Sequence, residues 1–337
     1  MHLPTLADLD AASAAVYAAM APTPQYNWPL LDQALGAETW VKHENHTPTG
    51  AFKIRGGLVY MAALARRQPK LAGVITATRG NHGQSIALAA GRHGMRATIV
   101  VPAGNSEEKN AAMRAFGAHL IEHGSDFQES REHAMALAER DGLHLLPSFH
   151  PDLVNGVATL WLELFRAQPQ LDLVLVPIGQ GSGICGAIAA RQALGLSMRI
   201  VGVVSAHAPA YQQSFLAGHS VSAPVSTVLA DGMACRVPDP HSLAAVLAHA
   251  DQVLAVTDDD IAHAMRLMYR CSHNLAEGAG AAALAGAMQL QRAGQLAGLR
   301  VGLPLTGANV DAQLMRHVLQ GPLELGRPLQ ELSLIHV

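Results

Sequence analysis

The stretch LDLVLVPIGQGSGICG, residues 171–186, decides the fold class of this chain. Residues 171–178 are almost continuously apolar, as expected for a strand that is buried on both faces of a parallel sheet. A glycine-rich turn follows, and a helix is expected to begin directly after it. A buried strand, a tight glycine turn and a helix form one βα unit, so this stretch predicts an α/β protein.

Further βα units are expected on both sides of this stretch. Ser106 precedes two acidic residues and predicts one helix start, while Thr257 with Asp260 resembles a capping box at another. Because apolar strands alternate with helices, the sheet is expected to be mostly parallel and covered by helices on both faces. A domain boundary is expected near residues 147–151. The expected strands lie at residues 39–42, 73–77, 97–101, 119–122, 172–177, 199–204, 252–256 and 299–303.

The composition excludes several classes of protein. With 337 residues, half of them hydrophobic, the chain can form one large domain or two ordinary ones. A charged fraction of 15% is too low for a disordered chain, and a net charge of −3 disfavours nucleic acid as the main partner. No segment predicts a membrane span or a signal peptide, so we expect a cytoplasmic protein. Cys185, Cys235 and Cys271 show neither disulfide nor metal spacing, and we expect no metal.

Lys53 stands out among the four lysines of the chain because of its surroundings, TGAFKIRGG at residues 49–57. Flanking glycines and apolar residues indicate a lysine at the start of a helix, in a confined pocket. Burial in such a pocket would lower the pKa of the amine and free it as a nucleophile. A surface lysine beside a helix start is the alternative, and this segment alone does not decide between the two.

The glycine turn after the quoted strand is a second candidate feature. Glycine lets successive backbone N–H groups point inward, and the following helix N-terminus adds positive potential, so the turn predicts a phosphate site. Residues 181–186 also match the G-x-G-x-x-G pattern, although VSA at residues 204–206 lacks the acidic ribose ligand of dinucleotide sites. A nicotinamide-dependent dehydrogenase therefore stays as an alternative.

Three other loops carry polar groups after expected strands or before expected helices. TRGNHG at residues 78–83 could hold a carboxylate or a ring hydroxyl, or could be an ordinary turn with Asn81 near a helix cap. TGAN at residues 306–309 could present a hydroxyl to a heterocycle nitrogen, or could form a plain turn. Glu277 is most simply a first-turn acid that the helix dipole favours.

A nucleophilic lysine, a phosphate cradle and a carboxylate loop together describe a site for pyridoxal phosphate and an amino acid. At these motifs the chain resembles the serine/threonine dehydratases, or ammonia-lyases, of the tryptophan-synthase-β-like, fold-type II pyridoxal enzymes. The resemblance extends over about residues 31–318, with Ala51 replacing a serine in the lysine motif and two positions altered in the glycine turn. EGAG at residues 277–280 and ADG at residues 230–232 also match the family.

The resemblance implies a role for each candidate residue. Lys53 would be the catalytic Schiff-base lysine, with Phe52 beside the cofactor. Asn81 would bond the pyridoxal 3′-oxygen, and the Thr306 hydroxyl would face the pyridine nitrogen. Further cofactor contacts are expected from Glu277 and from the phosphate-binding residues Gly179, Gln180, Gly181, Ser182 and Gly183, and substrate contacts from Thr78, Arg79, Gly80, Asn81 and His82.

The resemblance also implies an architecture and a reaction. It predicts two doubly wound parallel-sheet domains, a large cofactor-binding one of residues 1–48 and 148–337 and a small mobile one of residues 49–147, in a homodimer. The expected reaction removes water from a 3-hydroxy-α-amino acid of the threonine or serine type and yields a 2-oxo acid and ammonia. A pyridoxal-binding protein without turnover is an alternative from another functional class.

Arg79 departs from the pattern of this family. The related serine racemases carry a serine there as a second acid/base, and arginine is a poor proton shuttle, so racemisation is disfavoured. A guanidinium beside the substrate could pair with a second carboxylate or stack on a ring, which admits 3-hydroxyaspartate, or 3-phenylserine in a phenylserine-dehydratase-like branch. An arginine that packs outward is the alternative. Ser226 replaces an acidic residue that helps hold a cation in many relatives, which also speaks against a metal.

Overall fold

The structure is a computed structural model that describes residues 3–321, and its strands form two sheets. The expected strands are all present, with their ends shifted by no more than two residues. The strands are β1 (Gln25–Asn27), β2 (Glu38–His43), β3 (Gly73–Ala77), β4 (Arg96–Val101), β5 (His119–Glu122), β6 (His144–Leu145), β7 (Leu173–Pro177), β8 (Arg199–Ser205), β9 (Gln252–Val256) and β10 (Arg300–Leu305).

The larger sheet has the strand order β1-β2-β10-β7-β8-β9, and the smaller sheet has the order β5-β4-β3-β6. β1 pairs antiparallel with β2, whereas the other neighbouring strands pair in parallel. The short strands β1 and β6 were not among the expected strands, because two or three residues are too few to show a periodic pattern. Both lie at a sheet edge, where pairing with one longer neighbour is enough to order them.

Each connection between two successive strands from β1 to β10 contains at least one helix. Ser106 accepts a hydrogen bond from the backbone N–H of Lys109, and Thr257 with Asp260 forms the capping box, so both predicted helix starts are confirmed. The helices are α1 (Leu6–Tyr17), α2 (Pro29–Leu35), α3 (Lys53–Arg67), α4 (Asn81–Gly91), α5 (Glu107–Ala115), α6 (Phe127–Asp141), α7 (Pro151–Ala167), α8 (Ser182–Ala193), α9 (Ala210–Ala217), α10 (Pro240–His249), α11 (Asp258–Ser272), α12 (Gly278–Arg292) and α13 (Ala312–Gln320), with short 3-10 helices at Glu44–His46 and Asp231–Met233.

The central strand β7 explains why its sequence is apolar at nearly every position. Leu173 and Leu175 point into a core cluster shared with α2, α11 and α12. Val174 and Val176 point to the opposite face, into a cluster shared with α7 and α8. Successive side chains of a strand alternate between faces, so burial of both faces demands an apolar residue at almost every position. The smaller sheet is covered in the same way, by α3 and α4 on one face and α6 on the other.

Helices α3 and α7 approach each other closely through two glycines. A Cβ atom added to Gly156 would lie 2.2 Å from the backbone oxygen of Arg55, and one added to Gly56 would lie 2.9 Å from the backbone oxygen of Leu153. No larger residue fits at this crossing without displacing a helix backbone. The contact places the first turn of α3, which contains Lys53, against the helix layer of the larger sheet.

A buried ion cluster joins β2, α3 and α7. Arg55 Nε donates to Glu44 Oε2 at 2.7 Å, and Arg55 Nη1 donates to Glu163 Oε1 at 2.6 Å. Lys42 Nζ donates to Glu163 Oε2 at 2.5 Å. Two cations and two carboxylates balance one another, which matters because an unpaired buried charge costs several kcal/mol.

The strands of the two sheets fall within the two expected sequence segments. Those of the larger sheet lie within residues 25–43 and 173–305, and those of the smaller one within residues 73–145. The exact boundaries of the expected domains and the mobility of the smaller one stay predictions, and residues 1–2 and 322–337 of the larger segment lie outside the described residues.

No helix within residues 3–321 is long and apolar enough to cross a membrane.

Candidate active site

Lys53 is the first residue of α3, and the backbone before it is bound to the segment that follows β10. The Phe52 N–H donates to the Thr306 oxygen at 2.9 Å, Ala51 forms a bridge with Gly307, and the Ala308 N–H donates to the Gly50 oxygen at 2.9 Å. Two motifs that are separated by about 250 residues of sequence therefore lie side by side. The carboxyl ends of parallel strands are where α/β proteins place their ligands.

The surroundings of Lys53 shift the pKa of its amine downward. Burial lowers the pKa of the Lys53 amine, and the nearby Glu277 carboxylate opposes that shift. The amine lies 4.5 Å from the centroid of the Phe52 ring, so an aromatic face covers one side of it. The surface-lysine alternative is therefore wrong, because the Lys53 side chain is partly buried and the pKa of its amine is lowered, which is the direction that favours a nucleophile.

Glu277 takes part in a hydrogen-bonded chain inside the site. The interpretation of Glu277 as a first-turn acid is wrong: it is the residue just before the first turn of α12, and its side chain makes no capping hydrogen bond. Its Oε1 instead accepts from Asn81 Nδ2 at 2.6 Å, and Asn81 Oδ1 accepts from Asn309 Nδ2 at 2.8 Å. Burial raises the pKa of Glu277, while the charge of Lys109, the Asn81 hydrogen bond and the charge of Lys53 oppose that rise.

The glycine turn between β7 and α8 has the form of an anion cradle. Gly181 precedes the first turn of α8 with a φ of +97°, a conformation that favours glycine. A Cβ atom at Gly179 would lie 2.3 Å from the Gly232 backbone oxygen, so no side chain fits there. Trp161 Nε1 donates to the Gly183 oxygen at 3.0 Å. Helix N-termini carry free N–H groups and positive potential, which suit a phosphate.

Thr306 presents a neutral hydroxyl at the end of β10. Its side chain is buried, and its Oγ1 donates to the Ala279 backbone oxygen at 3.3 Å. A hydroxyl can both donate and accept, so it can pair with a ring nitrogen that carries no proton.

One cavity unites these groups. Every residue that we expected to contact a cofactor lines it. Sequence reasoning missed the apolar wall of Leu160, Trp161, Val176 and Met233, because apolar residues within α7, β7 and the 3-10 helix Asp231–Met233 give no signal that separates cavity lining from core. The expected residues in the lining are Phe52, Lys53, Asn81, Gly179, Gln180, Gly181, Ser182, Gly183, Glu277 and Thr306.

The expected substrate loop lies beside the cavity, and of its residues within the described part of the chain Asn81 is the one that lines it. Thr78 and Gly80 are buried, and the Gly80 N–H donates to Thr78 Oγ1 at 3.3 Å. His82 has a pKa lowered to about 4, by burial and then by the charge of Lys53. Its Nε2 is buried and has no hydrogen-bond partner within residues 3–321. Arg79 is exposed, as in the outward-packing alternative.

These groups fit the chemical parts of pyridoxal phosphate. Lys53 offers an amine for the aldehyde, the glycine turn offers a cradle without side chains for the phosphate, and Thr306 offers a neutral hydroxyl for the ring. The family model for the pyridoxal-phosphate dependent enzymes matches residues 16–307. The chain belongs to this family of pyridoxal-phosphate dependent enzymes. Its cofactor is pyridoxal phosphate.

Relatives of this pyridoxal-phosphate dependent enzyme include several ammonia-lyases. The chain is 32% identical over 325 residues to a biosynthetic L-threonine dehydratase of Salmonella typhimurium, covering 96% of this chain and 63% of that protein. It is 35% identical over 300 residues to an L-threonine ammonia-lyase of Geobacter sulfurreducens, covering 88% and 74%. It is 32% identical over 300 residues to an L-threo-3-hydroxyaspartate ammonia-lyase of a Pseudomonas species, covering 89% and 93%. The chain thus spans less than two thirds of the length of the first relative.

Solved structures of the same family confirm the predicted fold class. The chain has a TM-score of 0.86 and 29% identity to the processed form of threonine deaminase isoform 2 from Solanum lycopersicum, covering 95% of both chains. It has a TM-score of 0.87 and 27% identity to maize serine racemase, covering 94% of this chain and 97% of that one.

Within residues 3–321, no cluster of three or more His, Cys, Asp or Glu side chains could hold a metal ion.

Proposed function

We propose that this enzyme is an ammonia-lyase that converts a 3-hydroxy-α-amino acid into a 2-oxo acid and ammonia. One molecule of water leaves the substrate by loss of the α-proton and the β-hydroxyl, and one molecule of water is taken up again when ammonia is released. Support comes from the ammonia-lyases among its relatives. The observation that carries the proposal is the enclosed Lys53 amine, which shares a cavity with the glycine turn and with the neutral Thr306 hydroxyl.

Each group that lines the cavity would have a separate role in such a reaction. Bound pyridoxal phosphate supplies an electron sink for the substrate α-carbon. Lys53 would hold the cofactor and would then take the α-proton at its neutral Nζ. The glycine turn would hold the phosphate through backbone N–H groups. Asn81, fixed between Asn309 and Glu277, would face the ring oxygen.

Thr306 and Arg79 favour elimination over two related reactions. A neutral hydroxyl such as that of Thr306, facing the ring nitrogen, would leave that nitrogen without a proton and the ring a weaker electron sink, which would favour prompt loss of the β-hydroxyl over transamination. Racemisation needs a second acid/base on the face opposite Lys53. Arg79 is exposed, and a guanidinium is a poor proton shuttle, so it does not supply one.

Replacement of Lys53 tests the proposal directly. The wild-type enzyme, reduced with borohydride and digested, is expected to carry the cofactor on the peptide that contains Lys53. Lys53→Ala should lose this adduct and lower kcat for 2-oxo acid formation by at least about 100-fold. The exposed Lys70→Ala is the matched control and should keep both properties.

Other outcomes of these assays would overturn the proposal. An adduct at another residue, or full activity in Lys53→Ala, would exclude Lys53 from the role. Cofactor colour without ammonia release from any 3-hydroxy amino acid would indicate a pyridoxal-binding protein without turnover. NAD binding by a colourless protein would indicate an oxidoreductase, and interconversion of amino-acid enantiomers without 2-oxo acid would indicate a racemase.

A 3-hydroxyaspartate is the second candidate substrate, favoured by the Pseudomonas relative and by the cation of Arg79, which belongs to the expected substrate loop and is exposed to solvent. A guanidinium pairs well with a second carboxylate. If Arg79 has this role, Arg79→Ala should lower kcat/KM for 3-hydroxyaspartate relative to threonine by about tenfold or more. Unchanged ratios among threonine, 3-phenylserine and 3-hydroxyaspartate would place Arg79 outside substrate selection.

The resemblance to the dehydratase family supports three further proposals about the whole protein. These are a homodimer, a cytoplasmic location, and movement of residues 49–147 relative to the rest of the chain. The first is tested by the mass of the holoenzyme in solution, and the last by comparing hydrogen exchange with and without substrate.

A further inference from the structure

The outer side of the glycine turn rests on a buried polar cluster from three helices. Its members are Cys185 on α8, Tyr211 on α9 and Ser242 on α10, and each is no more than 2% exposed. The Tyr211 hydroxyl donates to the Gln180 backbone oxygen at 3.0 Å. The Cys185 thiol lies 3.5 Å from Ser242 Oγ. No motif of the dehydratase resemblance includes Tyr211 or Ser242.

Ser242 and Tyr211 form a wall directly behind Gly181. A Cβ atom added to Gly181 would lie 1.7 Å from Ser242 Oγ and 3.0 Å from the Tyr211 hydroxyl. On the other side of the turn, a Cβ atom at Gly179 would meet the Gly232 backbone oxygen. The turn is therefore held from both sides and can take few other conformations.

The hydrogen bond from Tyr211 also sets the direction of one peptide group. The peptide bond between Gln180 and Gly181 is planar and trans, so its C=O and its N–H point in opposite directions. Because the Gln180 oxygen points at Tyr211, the Gly181 N–H points away from Tyr211. Gln180 and Gly181 both line the cavity.

We propose that Tyr211 is a positioning residue for cofactor binding: its hydroxyl holds the Gln180–Gly181 peptide with the Gly181 N–H turned towards the cofactor phosphate, and Ser242 supports the same peptide from behind. The inference rests on the proposed pyridoxal phosphate site. It concerns the phosphate alone, because the contact lies at the glycine turn and not at Lys53 or Thr306.

A comparison of two ligands separates the phosphate from the rest of the cofactor. The enzyme freed of cofactor is titrated with pyridoxal phosphate and, in parallel, with pyridoxal, which lacks the phosphate, and the absorbance of the lysine-bound form is recorded. Tyr211→Phe removes one hydroxyl and should raise the Kd for pyridoxal phosphate about tenfold. Its Kd for pyridoxal should equal that of the wild type. Ser242→Ala serves as a second variant: it should also raise the Kd for pyridoxal phosphate and leave the Kd for pyridoxal unchanged.

Tyr60→Phe is the matched control, because Tyr60 is also a buried tyrosine and its hydroxyl contacts His144 Nε2 at 2.8 Å in the smaller sheet region. It should leave both dissociation constants unchanged. If Tyr211→Phe and Ser242→Ala raised the Kd values of both ligands equally, or raised neither, the positioning role would be overturned while the site itself would stay intact. A wild-type enzyme that binds neither ligand would overturn the proposed function as well.

Discussion

Burial decides the protonation of several single side chains in and around the site. Burial lowers the pKa of both Lys53 and His82, and the pKa of His82 falls to about 4, so its imidazole is neutral near pH 7. His43 at the end of β2 behaves in the same way: burial, with a contribution from His46, lowers its pKa to about 4. Its Nε2 accepts a hydrogen bond from Trp28 Nε1 at 3.0 Å, which requires that ring nitrogen to be unprotonated.

The lowered pKa of His43 predicts a loss of stability in mild acid. Between about pH 6.5 and pH 4 the unfolded chain takes up a proton at this residue and the folded chain does not, so the free energy of unfolding falls as the pH falls. His43→Gln, which keeps an acceptor for Trp28, should remove about 2 kcal/mol of the loss that the wild type shows between about pH 7.5 and pH 5. Denaturant unfolding at the two pH values measures this.

His93→Gln, at an exposed position, is the control and should lose as much stability in acid as the wild type does. If His43→Gln and the wild type showed the same dependence on pH, His43 would be protonated in the folded protein, contrary to the structure.

At the scale of elements, the crossing of α3 and α7 positions the first turn of α3. Both helices have glycine at the contact, and their backbones approach so closely that a methyl group does not fit. The crossing explains why the lysine motif continues into Gly56, on the first turn after Lys53. The glycine serves the packing of the helix that carries the nucleophile.

Gly156→Ala should push α3 and α7 apart. The new Cβ would lie 2.2 Å from a backbone oxygen, which cannot rotate away, so we expect a loss of about 1–3 kcal/mol in the free energy of unfolding. Gly91→Ala in the last turn of α4 meets no atom within 4 Å and should change stability by less than about 1 kcal/mol. Equal stability of the two variants in urea would show that α3 and α7 can move apart at little cost, contrary to the close backbone contact in the structure.

At the scale of the whole molecule, the ion cluster of Lys42, Glu44, Arg55 and Glu163 connects the strand layer of the larger sheet with the helix that begins at Lys53. Hydrogen bonds from Arg55 and the charges of Arg55 and Lys42 lower the pKa of Glu163 although burial alone would raise it. Glu163 therefore stays ionised as the shared partner of both cations. The cluster supports the cavity because Arg55 fixes the first turn of α3, the helix that begins at Lys53.

Glu163→Gln should destabilise the protein strongly, because among residues 3–321 it leaves Lys42 with no carboxylate at ion-pair distance and Arg55 with only Glu44. We expect a loss of about 3–5 kcal/mol, measured by thermal or urea unfolding of the holoenzyme. Arg166→Gln breaks the exposed ion pair with Asp10 and should cost less than about 1 kcal/mol. A loss below about 1 kcal/mol in Glu163→Gln would mean that water or a rearranged side chain replaces the carboxylate.

The sequence by itself determined the α/β class, the strands of both sheets except the short edge strands β1 and β6, the lysine and the glycine turn. Each of these features follows from residues that are neighbours in the sequence: a continuous apolar run predicts a buried strand, a capping pair predicts a helix start, and glycines around one lysine indicate a site. The tertiary structure alone decided that Glu277 bonds Asn81, that Tyr211 holds the glycine turn, that Arg79 faces outward and that Lys42 meets Glu163. These contacts join residues far apart in the chain, so they depend on how whole helices and sheets pack, which no local pattern of residues encodes.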